Sequence, residues 1–90
     1  AEADRIGLAD HLVPPGQALS RATAIAGKIL KGGPVAVRLA KKAVNRGLEQ
    51  RVSEGCRIEA QLFALLCDTA DQKEGAAAFL EKRSPVFHGE

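Results

Sequence analysis

Nucleophilic catalysis needs a Ser or Cys held by a base, and a metal needs clustered His, Cys or carboxylate ligands. The chain has two cysteines, Cys56 and Cys67, and two histidines, His11 and His88. The histidines stand near opposite ends, and no Cys-x-x-Cys or His-x-x-x-His spacing occurs, so no metal site is expected. Both cysteines lie in apolar helical context with no His nearby in sequence. On one helix they would be roughly 16 Å apart along the axis, too far for a disulfide. They read as buried thiols in a reducing compartment. Acid pairs offer little more. Glu54 and Glu59 are five residues apart, about 140° around a helix, and do not face each other. Asp71 and Glu74 are near neighbours, but they open a helix, where capping and the helix dipole account for them. No catalytic residue is assigned within the chain.

Three places have the chemistry to meet an anion. Gly32-Gly33-Pro34 precedes a helix whose N-terminus carries free N–H groups. A plain helix-to-helix turn is the stronger reading there. Arg38, Lys41, Lys42 and Arg46 crowd one side of a helix and are the best polyanion surface. Nucleic-acid binders combine such charge with base-reading or stacking groups. No aromatic is interleaved here, so a solvated face is the plainer reading, and nucleic acid is not the expected partner. Lys82-Arg83 beside Phe79 is more specific, because a cation and a ring three residues apart share a helical face. Such a pair suits a phosphate and an adenine. Helix termination by two cations is an equal rival.

The elements that must position these groups are helical. The chain has 90 residues, enough for one small domain, with 46% hydrophobic and 27% charged residues. That balance suits a globular protein and excludes a disordered one. Ala dominates the apolar set and the aromatics are three Phe, so each buried side chain contributes little and a partner surface is expected. The net charge of +2 implies no polyanion partner by itself. No apolar run approaches the ~20 residues of a membrane span. The start is neither a signal nor a transit peptide, and it lacks Met inside a helical stretch, which suggests truncation or processing.

Ala1 to Arg5 reads as the end of a helix stopped by Gly7. Leu8 to Val13 is an extended connector closed by Pro14, Pro15 and Gly16. Leu19, Ala22, Ile25, Ala26, Ile29 and Leu30 form one helical stripe. Pro34 suits the first turn of the next helix, with Val37, Ala40, Val44 and Leu48 as its apolar face. A break near Arg51 to Ser53, with Ser53 as N-cap, starts a helix that is apolar over a wide arc from Cys56 to Cys67. Thr69 to Gln72 fits a capping box for a last helix, which Ser84-Pro85 stops before an extended tail. The expected fold is all-α: four helices, an N-terminal connector and a C-terminal tail.

The ordered set of these pieces resembles the crotonase superfamily, the enoyl-CoA hydratase/isomerase enzymes. Ala1-Glu2-Ala3 with Arg5 to Pro14 resembles the stretch that follows that family's core domain. Gly33 to Val37 with Lys41 resembles its Pro-led helix. Glu59 to Phe63, Asp71, Glu74-Gly75, Ala78-Phe79, Glu81-Lys82-Arg83, Pro85 and Phe87 resemble its closing pattern. The resemblance implies residues 1–15 as a connector from a catalytic core and 16–90 as a C-terminal helical domain. It implies a core of ββα turns outside this chain, holding the oxyanion hole and catalytic carboxylates, with acyl-CoA as substrate and no separate cofactor. It implies helices that cover an acyl-CoA site, touch that core or neighbouring subunits, and assemble as a trimer or dimer of trimers. The compartment implied is bacterial cytoplasm or mitochondrial matrix. By position, Phe63 and Phe79 match residues lining the CoA or acyl pocket, and Lys82 matches a cation meeting a CoA phosphate. Core packing is the rival for Phe63. The rival for the whole chain is a non-catalytic, self-associating helical domain.

Overall fold

A computed structural model describes all residues, Ala1–Glu90. It contains five helices and no strand: α1 (Glu2–Arg5), α2 (Ala18–Ile29), α3 (Pro34–Leu48), α4 (Val52–Cys67) and α5 (Ala70–Glu81). The all-α expectation holds, with the helix end expected at residues 1–5 forming α1. Gly7 follows it at φ 73°, a left-handed conformation that glycine adopts without steric cost.

Helices α3 and α4 form a hairpin. Pro34 stands at the start of α3 and adds no unsatisfied donor there. The α3 side of the groove between the two helices is lined by Ala36, Ala40, Ala43 and Gly47, with Leu39 and Val44 at its edges. Of the expected face of Val37, Ala40, Val44 and Leu48, Ala40 and Val44 line that groove, with Val44 still largely exposed, and Leu48 is exposed outside it. Small residues let the two backbones come close, and the longer side chains fall to the flanks. A Cβ built on Gly55 would lie 3.5 Å from the Cα of Gly47, so only small side chains fit at this crossing.

The break before α4 falls where expected, but Arg51 is the N-cap residue and Ser53 lies inside the first turn. No side chain caps that end. The wide apolar arc of α4 is covered mainly on one side, by α3. Cys56 and Cys67 are therefore exposed, against the expectation of buried thiols. Leu62 is the one buried residue of this helix.

At α5 half of the capping box is made. The Thr69 hydroxyl accepts from the Gln72 N–H at 3.2 Å and donates to the Leu66 carbonyl at 2.8 Å. The Thr69 N–H donates to that same carbonyl at 3.0 Å, so it does not serve as the partner of the Gln72 side chain. The other end closes in a Schellman motif. Arg83 N–H donates to the Ala78 carbonyl at 3.0 Å and Lys82 N–H to the Phe79 carbonyl at 3.3 Å. Lys82 takes the left-handed position, at φ 54° and ψ 38°. Helix α5 thus ends at Glu81, two residues before the Arg83 end that a stop at Ser84-Pro85 implies.

The assembly is open. Its radius of gyration is 16.8 Å, against about 12 Å for a compact chain of this length. Its accessible surface is 7,388 Å², against about 5,000 Å² for a folded monomer of this mass. Four residues are buried: Gly33, Leu62, Asp71 and Ala78. The Ala-rich stripes bring helices together without enclosing a core.

Candidate functional site

The best-defined polar structure is the seat of the C-terminal tail on α5. Asp71, in the first turn of α5, is only 6% exposed. Its two carboxylate oxygens accept from the backbone N–H groups of His88 at 2.7 Å and Gly89 at 2.8 Å. Its own N–H donates to the Glu90 carbonyl at 2.9 Å. One turn on, Glu74 accepts from the Val86 N–H at 2.9 Å and from both terminal nitrogens of Arg83, at 2.6 and 2.8 Å. Arg83 also donates to Glu81 at 2.5 Å. The Arg83 guanidinium, then the Val86 N–H, hold the Glu74 carboxyl down at about 2. Glu74 and Glu81 in turn hold Arg83 more firmly protonated than usual.

The tail also carries an apolar wedge. The Phe87 ring lies over Gly75, where a built Cβ would come within 3.5 Å of it, and beside Gly33 at the start of α3. Gly89 lies against the Pro34 ring. Sequence reading explained Asp71 and Glu74 by capping and the helix dipole and missed this arrangement. One signal was present: Gly75 sits inside a helix, where glycine costs about 0.5–1 kcal/mol and marks a close approach.

The three residues singled out for acyl-CoA are distributed over two regions. Phe63 lines a groove of about 480 Å³ between α3 and α4, with Ala40, Val44, Cys56 and Leu62. It also lines a second hollow of about 250 Å³ among α3, α4, α5 and Phe87. It is 65% exposed, so plain core packing is not its state in this chain. Phe79 and Lys82 line neither hollow. Phe79 is 84% exposed near the end of α5, beside the exposed Leu80. Lys82 follows the last helical residue, so the shared helical face expected for Phe79 and Lys82 does not extend to it. The left-handed turn, not the helix, carries the lysine.

Arg38, Lys41, Lys42 and Arg46 are exposed on the side of α3 that faces away from α4, and none is in an ion pair. No three His, Cys, Asp or Glu side chains come together as metal ligands would. No helix is long and apolar enough to cross a membrane.

Splayed helices, a hairpin with small residues at its crossing and a tail strapped along the last helix define an open helical unit. The family model described as Enoyl-CoA hydratase/isomerase matches residues 1–90, and the chain belongs to that family. Crotonyl-CoA hydratase of Syntrophomonas wolfei is 48% identical over 86 residues, which are 96% of this chain and 33% of that protein. The mitochondrial enoyl-CoA hydratase domain-containing protein 2 of Bos taurus is 44% identical over 94 residues, covering 100% of this chain and 32% of the relative. The crystal structure of enoyl-CoA hydratase from Bacillus anthracis superposes with a TM-score of 0.94 at 40% identity, over 99% of this chain and 34% of that one. Enoyl-CoA hydratase from Mycobacterium tuberculosis gives 0.89 at 33% identity, over 98% and 35%. The chain spans about a third of the length of these relatives.

Proposed function

We propose that these residues are the C-terminal helical part of an enzyme that hydrates 2-enoyl-CoA thioesters or shifts their double bond. The observation that carries this reading is the family match across residues 1–90, joined to a close superposition on a hydratase structure. In this reading the oxyanion hole and the catalytic carboxylates stand outside the chain. The helices cover the acyl-CoA site, seat on the catalytic core or a neighbouring subunit, and support a trimer or dimer of trimers. Phe63 and Phe79 supply apolar contact to the acyl or adenine part, and Lys82 meets a CoA phosphate as a point charge. The uncovered surface supports such seating. It exceeds that of a compact monomer by roughly 2,300 Å², the scale of a permanent interface.

The test is hydration of crotonyl-CoA by the intact enzyme with Lys82→Ala. A contact made equally in ground and transition states raises KM and leaves kcat alone. An unchanged KM removes Lys82 from the site. Turnover by the 90-residue chain alone would overturn the placement of the catalytic groups elsewhere.

The same exposed surface favours a second reading, a non-catalytic domain that self-associates. Concentration-dependent size in light scattering, with no binding of crotonyl-CoA by the intact protein, would support it over the first.

A further inference from the structure

Helix α5 is held in an unusual way. Its large apolar residues Phe79 and Leu80 are exposed, and its buried residues are Asp71 and Ala78. Burying a large apolar side chain is worth about 1.5–3 kcal/mol, and α5 forgoes that gain at both residues. Packing between α4 and α5 is slight beside that of the α3–α4 hairpin. The C-terminal tail bridges what packing leaves open. It meets α5 through Asp71 and Glu74. It meets the start of α3 through Phe87 at Gly33 and Gly89 at Pro34. A carboxylate accepting two backbone N–H groups in a nearly buried setting is costly to break, because both donors and the charge lose their partners.

We infer that the tail, residues 83–90, is a strap that fixes the orientation of α5 against α3, with Asp71 as the positioning residue that anchors it. The strap begins at the residue after Lys82, where Arg83 pairs with Glu74 and Glu81 and so ties its first residue back to α5. Whatever Phe79 and Lys82 contact is therefore aligned through Asp71, although Asp71 lies at the other end of the helix. The consequence for acyl-CoA rests on the function proposed above; the strap itself does not.

The test uses the full protein with Asp71→Asn and, as a second variant acting through packing alone, Phe87→Ala. Asn keeps the size of the side chain but loses the charge and one acceptor oxygen. Three readouts separate the claims. Amide hydrogen exchange at His88 and Gly89 reports the strap, and a spin-label distance between α3 and α5 reports the helix. The crotonyl-CoA KM and kcat report the site. Both variants are expected to speed exchange at those amides at least tenfold and to broaden the interhelical distance. Both should raise KM severalfold with kcat nearly unchanged. A freed tail with an unchanged α3–α5 distance in both variants would overturn the inference, as would undiminished protection of the amides. If α5 moves while Lys82→Ala leaves KM unchanged, the strap stands and the acyl-CoA role of Lys82 falls. A loss of helix content in Asp71→Asn leaves Phe87→Ala to decide.

Discussion

Arg83 and Glu74, nine residues apart, meet through two hydrogen bonds of 2.6 and 2.8 Å across the C-terminal end of α5. The fork geometry of guanidinium on carboxylate fixes the direction in which the chain leaves the helix. The same carboxylate then receives the Val86 N–H, so one side chain sets both the exit of the tail and its first contact with the helix.

This arrangement makes the tail acid-sensitive in a definite direction. Glu74 titrates at about 2 in the folded chain, below its ordinary value of 4.5. A depressed carboxylate pKa contributes stability above the unfolded value and loses it as pH falls through the folded one. The contribution of Glu74 is thus fully present above about pH 4.5 and gone near pH 2. Exchange at the Val86 amide, corrected for intrinsic pH dependence, should accelerate across that window. Glu74→Gln should show fast exchange at pH 6 and no such window. Constant protection from pH 6 down to pH 2 would remove Glu74 as the support of the tail.

Lys82 sets the stability of its turn against the phosphate contact proposed for it. It occupies the left-handed position of the Schellman motif, where a residue with a Cβ is disfavoured by about 1–2 kcal/mol. Lys82→Gly relieves that strain, and about 1 kcal/mol of added stability to urea is the expected result after the entropy of the unfolded glycine is counted. Lys82→Ala keeps the strain and should be near neutral. On the proposed contact with a CoA phosphate, both variants should also raise KM for crotonyl-CoA in the full protein. A destabilised Lys82→Gly would show that the lysine side chain, rather than the turn, holds this end of α5.

The N-terminal end of α5 was legible from sequence, and its stabilisation follows from one side chain. The Thr69 hydroxyl satisfies the Gln72 N–H and the Leu66 carbonyl together, which links the end of α4 to the start of α5. Thr69→Ala should destabilise the protein by about 1 kcal/mol, and Thr69→Asp by much less, because aspartate also accepts from the helix N-terminus. Thermal unfolding of the two variants checks this. Equal loss in both would assign the effect to the Leu66 contact, which aspartate cannot donate to.

What could be read from residues alone was what depends on near neighbours. Pro34 at a helix start, Thr69 as a cap and Gly7 as a stop each act within one turn. The all-α class followed from periodicity and the absence of alternation. Contacts between distant residues were not legible. Asp71 and His88, or Gly75 and Phe87, are joined only once the tail folds back along α5. The burial of Cys56 and Cys67 failed for a related reason. A wide apolar arc shows that a helix is made to be covered, but not that this chain supplies the cover. Phe63 came from resemblance alone, whereas Phe79 and Lys82 were also marked by their three-residue spacing, which the left-handed turn at Lys82 then broke.

Gly75 offers a last, graded test of how the tail is seated. A Cβ added there would stand 3.5 Å from the Phe87 ring, which is ordinary van der Waals contact. Gly75→Ala should therefore keep the wedge in place and gain about 0.5–1 kcal/mol from helix propensity. Gly75→Leu adds a branched side chain where the ring lies and must displace it. Without the ring, the hollow lined by Gly33, Phe63, Leu66 and Cys67 loses one wall. The leucine variant is then expected to lose protection at His88 and Gly89 while α5 remains helical, whereas the alanine variant keeps it. Tail amides still protected in the leucine variant would mean that Phe87 is not seated over Gly75 in solution.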